Sequence, residues 1–200
     1  MNLAKEFETL VVVGLWNKNI FNPEWVGKYL FPGKEIAVEY PLNISGSHRF
    51  TADGIRLFVI GNRLNFAAIT EGPDSLKKIQ AIAQKIADFL PHTPVTAYGV
   101  NSVFETPADS KFDSLFENKI KTIISPETTE PIKSTVKNTF KKGAGNLSVT
   151  IRSEGDKLKI DFNLHTEIKD LTKLKEALDE GPITEFQEYC KKLAESITSA

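Results

Sequence analysis

Ile55-Arg56-Leu57-Phe58-Val59-Ile60-Gly61-Asn62-Arg63-Leu64-Asn65-Phe66-Ala67-Ala68-Ile69-Thr70 is the stretch that decides the fold. Two apolar runs flank a Gly-Asn pair that tolerates positive φ, which predicts a tight hairpin. Upstream, Asp53-Gly54 has the same property and joins a strand at His48–Ala52 to the one at Ile55–Ile60. Downstream, Pro73-Asp74-Ser75 opens a helix. Leu76, Ile79, Ile82, Ala83, Ile86, Phe89 and Leu90 fall on one stripe of it, and the lysines, glutamines and Asp88 fall opposite. Pro91 and Pro94 stop that helix, and Val95 to Phe104 reads as a strand again.

Further upstream, Phe7 to Leu15 contains Leu10-Val11-Val12-Val13 and predicts a strand buried on both faces. Asn22-Pro23-Glu24 supplies an N-cap, a proline at the first helical position and an acid in the first turn, so a short helix is expected from Pro23 to about Leu30. Ile36, Val38 and Tyr40 suit a strand stopped by Pro41. The order strand, helix, several antiparallel strands, helix, strand contains the split βαβ, or ferredoxin-like, pattern with extra strands, and assigns it to residues 1–125 of an α+β protein.

Phe112, Leu115 and Phe116 suit one short helix, and Ser125 to Pro131 reads as a connector. Residues 126–200 then follow a βββαα order. Ile132, Val136 and Phe140, then Leu147, Val149 and Ile151, then Leu158, Ile160, Phe162 and Leu164 recur with period two. Lys142–Gly145 and Ser153–Asp156 are the turns of this three-stranded antiparallel meander. Two C-terminal helices cover it, one marked by Leu171, Leu174 and Leu178, the other by Phe186, Cys190, Leu193 and Ile197. A half of about 70 residues has a thin core of its own, so the two halves are expected to pack as one unit.

Arg49-Phe50-Thr51-Ala52-Asp53-Gly54, Arg63-Leu64-Asn65-Phe66 and Tyr98-Gly99-Val100-Asn101 together resemble a sporadically distributed family of uncharacterised bacterial proteins. The chain departs from that pattern after the hairpin, where Ile69-Thr70-Glu71-Gly72 stands in place of a Tyr-x-x-Trp. The resemblance implies a similar first half followed by a smaller sheet with a closing helix. It implies no chemistry.

A chain of 200 residues can bury an ample core without metal or disulfide, and its single cysteine, Cys190, permits no intrachain disulfide. The net charge of −1 sets up no global field toward nucleic acid or an anionic membrane. No basic stretch leads into an apolar run at the start, and no run reaches the ~18 residues of a spanning helix, so a cytoplasmic protein without membrane contact is expected.

No residues assemble into a catalytic or metal motif, and no cofactor is expected. His48, His92 and His165 lie far apart, and Asp161 and His165 share only a strand face. Cys190 belongs to an apolar helical stripe, which predicts burial. Phosphate-binding glycine patterns are missing, since Lys142-Gly143-Ala144-Gly145 lies between strands.

Two stretches suit binding. Trp16, Phe21, Trp25 and Tyr29 concentrate both tryptophans beside a short helix and predict a protein interface, either with a partner or with a second copy. Residues 131–165 carry a net +4, and Lys133, Lys137, Lys141, Arg152, Lys157 and Lys159 form a candidate docking face for an acidic partner. The same lysines also suit a solvated face that deters edge pairing. Leu10-Val11-Val12-Val13-Gly14-Leu15 resembles the first strand of an RNA recognition motif, but Val11 stands where an aromatic is useful, and residues 1–130 carry a net −2. The sequence therefore ranks three functions: a non-catalytic binding or assembly protein, then a nucleic-acid-binding module using a sheet face, then an enzyme whose site is assembled from distant residues.

Overall fold

Asp53 and Gly54 both adopt positive φ, 51° and 79°. That backbone twist suits a two-residue hairpin loop, and it sets Ala52 directly opposite Ile55. The structure, a computed structural model, describes residues 1–4, 7–42, 46–109, 112, 115–116, 133–154 and 156–199. The connector expected at Ser125–Pro131 lies outside the described residues, as do residues 113–114 of the short helix expected around Phe112 to Phe116.

The strands are β1 (Asn2–Leu3), β2 (Leu10–Gly14), β3 (Ala37–Glu39), β4 (Arg49–Ala52), β5 (Ile55–Ile60), β6 (Arg63–Ala68), β7 (Val95–Pro107), β8 (Lys133–Lys142), β9 (Gly145–Glu154) and β10 (Lys157–Glu167). They form one ten-stranded sheet in the order β3-β4-β5-β6-β2-β7-β10-β9-β8, with β1 added beside β7. Every pairing is antiparallel. The helices are α1 (Pro23–Trp25), which continues as a π-helical turn over Val26–Leu30, then α2 (Pro73–Phe89), α3 (Leu171–Glu180) and α4 (Ile183–Ser199). Asn22 caps α1 by accepting from the Trp25 N–H, and Asp170 caps α3 by accepting from the Lys173 N–H.

Strand alternation sorts the sheet into two faces. Leu10, Val12, Leu57, Leu64, Phe66, Val100, Phe104, Ile160 and Phe162 point toward the helices and share one buried core with Leu76, Ile79, Ala83 and Ile86 of α2. Val11, Val13, Arg56, Phe58, Asn65, Gly99 and Asn163 point the other way. The expectation that β2 is buried on both faces is corrected here. Val11 and Val13 are only half-buried, because the helices pack on one face of the sheet and neighbouring side chains alone shield the other.

The βββαα half does not close on a separate sheet. Lys157 to Glu167 pair continuously with Pro107 to Ala97, so β10 extends the first half's sheet along all but the first two residues of β7. The helices carry the same join. Gln80 of α2 donates to the Leu178 carbonyl (2.9 Å) and accepts from the Ile183 N–H (3.2 Å), which holds the α3–α4 junction. Gln84 reaches Asp179 (2.6 Å), and Lys175 pairs with Asp88 (2.7 Å).

Candidate functional site

Apolar positions on α4 split into two stripes. Phe186, Cys190 and Ala194 are buried in the core. Tyr189, Leu193 and Ile197, spaced by four, face β8 and β9 instead and line a concavity of about 630 Å³ with them. Val136 and Phe140 of β8, Leu147, Val149 and Ile151 of β9, and Phe162 of β10 form its floor. Phe140 remains 54% exposed and Tyr189 38% exposed, an unusual cost for large apolar groups facing the same hollow. Lys142 closes one end, with its Nζ 3.8 Å from the centre of the Tyr189 ring. An apolar concavity of this size with a few polar groups on its rim is the usual form of a ligand or peptide site.

The sequence reading placed Leu193 and Ile197 on the same buried stripe as Phe186 and Cys190. The structure divides them, because Ala194 takes the core position that follows Cys190. Tyr189 is four residues before Leu193, and that second row is the signal that marks the groove's wall.

Cys190 is fully buried, and burial pushes its thiol up to about 12 from an ordinary value of 9.0, with Lys142 pulling weakly the other way. Between those two values the unfolded chain binds fewer protons than the native one. Stability therefore falls as pH rises from about 9 to about 12, and this group has no effect on it below that window. The fall should be steeper in the wild type than in Cys190→Ala, by at most about 1.4 kcal/mol per pH unit, as read by denaturant unfolding. A thiol reagent at neutral pH should label the native protein slowly and the unfolded chain fast, and rapid native labelling would contradict the burial.

The four aromatic residues named from the sequence come together, mostly inside the chain. Trp16 and Phe21 are buried, and the Trp16 Nε1–H donates to the Val12 carbonyl (2.9 Å). Phe21 meets Trp16 and Trp25 edge-on, at 6.1 and 5.5 Å between ring centres. Trp25 and Tyr29 are half-buried, and Phe89 of α2 packs on both, at 6.3 and 5.1 Å. Only Trp25, Tyr29 and Phe89 of this cluster present surface.

The basic face divides too. Arg152 bonds to Asp161. Lys159 pairs with Glu105 at 3.0 Å and Lys157 reaches the same carboxylate at 4.0 Å. Lys137 and Lys141 are exposed on β8 and make no ion pair with a described residue. The side chain of Lys133 lies outside the described residues.

On the helix-free face, Phe66 is turned away into the core, and Phe58 is 8% exposed beneath the Arg49 guanidinium (5.4 Å). Base stacking needs exposed aromatic faces, and β2, β5, β6 and β7 present none there. Among the described residues no three His, Cys, Asp or Glu side chains gather as a metal site requires, and no helix is long and apolar enough to cross a membrane. No family model, curated protein or solved structure matches the chain.

Proposed function

We propose that the protein is a non-catalytic binding protein that takes an apolar segment of a protein partner into the groove between β8–β9 and α4. The exposed pair Phe140 and Tyr189 across an apolar hollow carries this reading, since their burial by a partner removes apolar surface from water at about 25 cal/mol per Å². The sheet-face reading for nucleic acid has less support, because its aromatics are turned inward or covered. The chain's place as a cytoplasmic protein is part of the same proposal. So is the ferredoxin-like assignment of the first half, which draws support from the central order β7-β2-β6-β5 with α2 linking β6 to β7, and from β3 and β4 as added edge strands.

Selection from a random-peptide display library tests the function. Peptides with clustered apolar residues should be enriched on the wild type and should bind Phe140→Asp/Leu193→Asp at least about tenfold more weakly, each buried apolar anchor contributing more than 1 kcal/mol. The thermal midpoint of the variant should stay within a few degrees, as both side chains keep water contact. No enrichment, binding untouched by the double change, or capture of a fluorescent fatty acid where no peptide binds would overturn the reading.

A further inference from the structure

Among the described residues β8 pairs with β9 alone, so its outer edge leaves a row of backbone donors and acceptors without a strand partner. The two faces of that edge differ in chemistry. Val136 and Phe140 face the groove, while strand alternation turns Lys137 and Lys141, also four residues apart, toward the opposite side, with Lys141 reaching the groove's rim. From this we infer that the partner binds by strand addition to β8, as an extended segment alternating apolar and acidic residues; the inference rests on the groove being the binding site.

An added strand sets its side chains directly opposite those of β8, about 4.5–5.5 Å away on each face. Apolar residues at alternate positions then lie beside Val136 and Phe140 and cover the exposed ring of Phe140, extending the groove floor outward. The residues between them project to the other face, beside Lys137 and Lys141, which make no ion pair with a described residue. Arg152, Lys157 and Lys159 lie further from the edge and are already engaged. A period of two is needed, because a slip of one residue would set acids against Phe140 and apolar groups against lysine.

A second copy meets a charge conflict in the registers that pair its lysines, whereas the register centred on Asn138 sets Lys137 opposite Thr139 and escapes it. Antiparallel self-pairing centred on Lys137 or on Thr139 brings lysine opposite lysine, and like charges directly opposite are destabilising. The lysines that deter self-pairing in those two registers are the groups that select an acidic strand.

The probe is a labelled ten-residue peptide alternating valine and glutamate, followed by fluorescence anisotropy. A peptide of the same composition with all valines before all glutamates, and one alternating valine with lysine, serve as controls. The alternating Val–Glu peptide should bind, the controls should not, and Lys137→Glu/Lys141→Glu should weaken binding about tenfold, combining two lost pairs with two repulsions. N-methylating every second peptide residue should abolish binding for one parity and spare the other, because only alternate N–H groups face β8. Equal binding of the block peptide, insensitivity to both N-methyl patterns, or a wild-type dimer dispersed by the lysine changes would overturn strand addition. If library peptides still depend on Phe140 and Leu193 in that event, the groove reading survives and only the strand mode fails.

Discussion

Replacing Phe162 with alanine should cost about 3–5 kcal/mol, and the protein should still unfold in a single calorimetric transition. Phe162 sits on β10 in the seam where the two parts of the chain share one sheet. It is 1% exposed and meets Phe104 of β7 edge-on at 6.1 Å. Its deletion removes transfer free energy and leaves a cavity between elements drawn from both parts, with α4 above and β7 and β9 on either side. For a domain of this size each kcal/mol lowers the midpoint by about 2–4 °C, so a fall of roughly 6–20 °C is expected. The whole transition should move together. The β7–β10 ladder is unbroken from Ala97 to Pro107, and Gln80 ties α2 to the α3–α4 junction, so neither part has a surface it can expose cheaply on its own. A second peak that stays at the wild-type temperature would show that residues 1–125 and 126–200 fold independently.

What the sequence made legible follows from where its signals are local. The β5–β6 hairpin and the Asp53-Gly54 turn depend on two residues each, and α2 on an apolar stripe within one helix, so all three could be read directly. The meander β8-β9-β10 was equally plain from its period of two. Which strand joins which across long separations carries no local signal. Nothing in Lys157–Glu167 announces β7 as its partner, and the continuation of one sheet through both parts emerges only from packing. The same limit applies to the groove. Leu193 and Ile197 look like core residues because helical spacing groups them with Cys190, and only the position of α4 against β7 turns them toward β8 and β9. The lysines were visible as a charged face, but spacing could not tell Lys137 and Lys141 from the residues whose charges Asp161 and Glu105 meet.

The aromatic cluster should divide in the same way when its members are removed one layer at a time. Phe21 is 2% exposed and stands between Trp16 and Trp25 with edge-on contacts to both, so Phe21→Ala should cost about 3–5 kcal/mol. Besides the lost transfer free energy it strips two aromatic contacts, each worth about 0.5–1.5 kcal/mol beyond area. It also undermines Trp16, whose indole N–H is held by the Val12 carbonyl of the central strand. Trp25 and Tyr29 differ because they keep part of their surface in water and lean on Phe89, which is itself 47% exposed. The double change Trp25→Ala/Tyr29→Ala removes groups from a layer that water already reaches, so no closed cavity forms and the loss should be smaller than that of Phe21→Ala alone. Urea melts of the two variants read this order directly. Sedimentation of the same proteins examines the interface expected from the sequence at its outer layer, where Trp25 and Tyr29 present surface. A concentration-dependent association that the double variant loses would place a contact there. If Trp25→Ala/Tyr29→Ala proves as destabilising as Phe21→Ala and the wild type sediments as a monomer, the whole stretch belongs to the core, and α1 with its π-helical turn serves to pack α2 against β2.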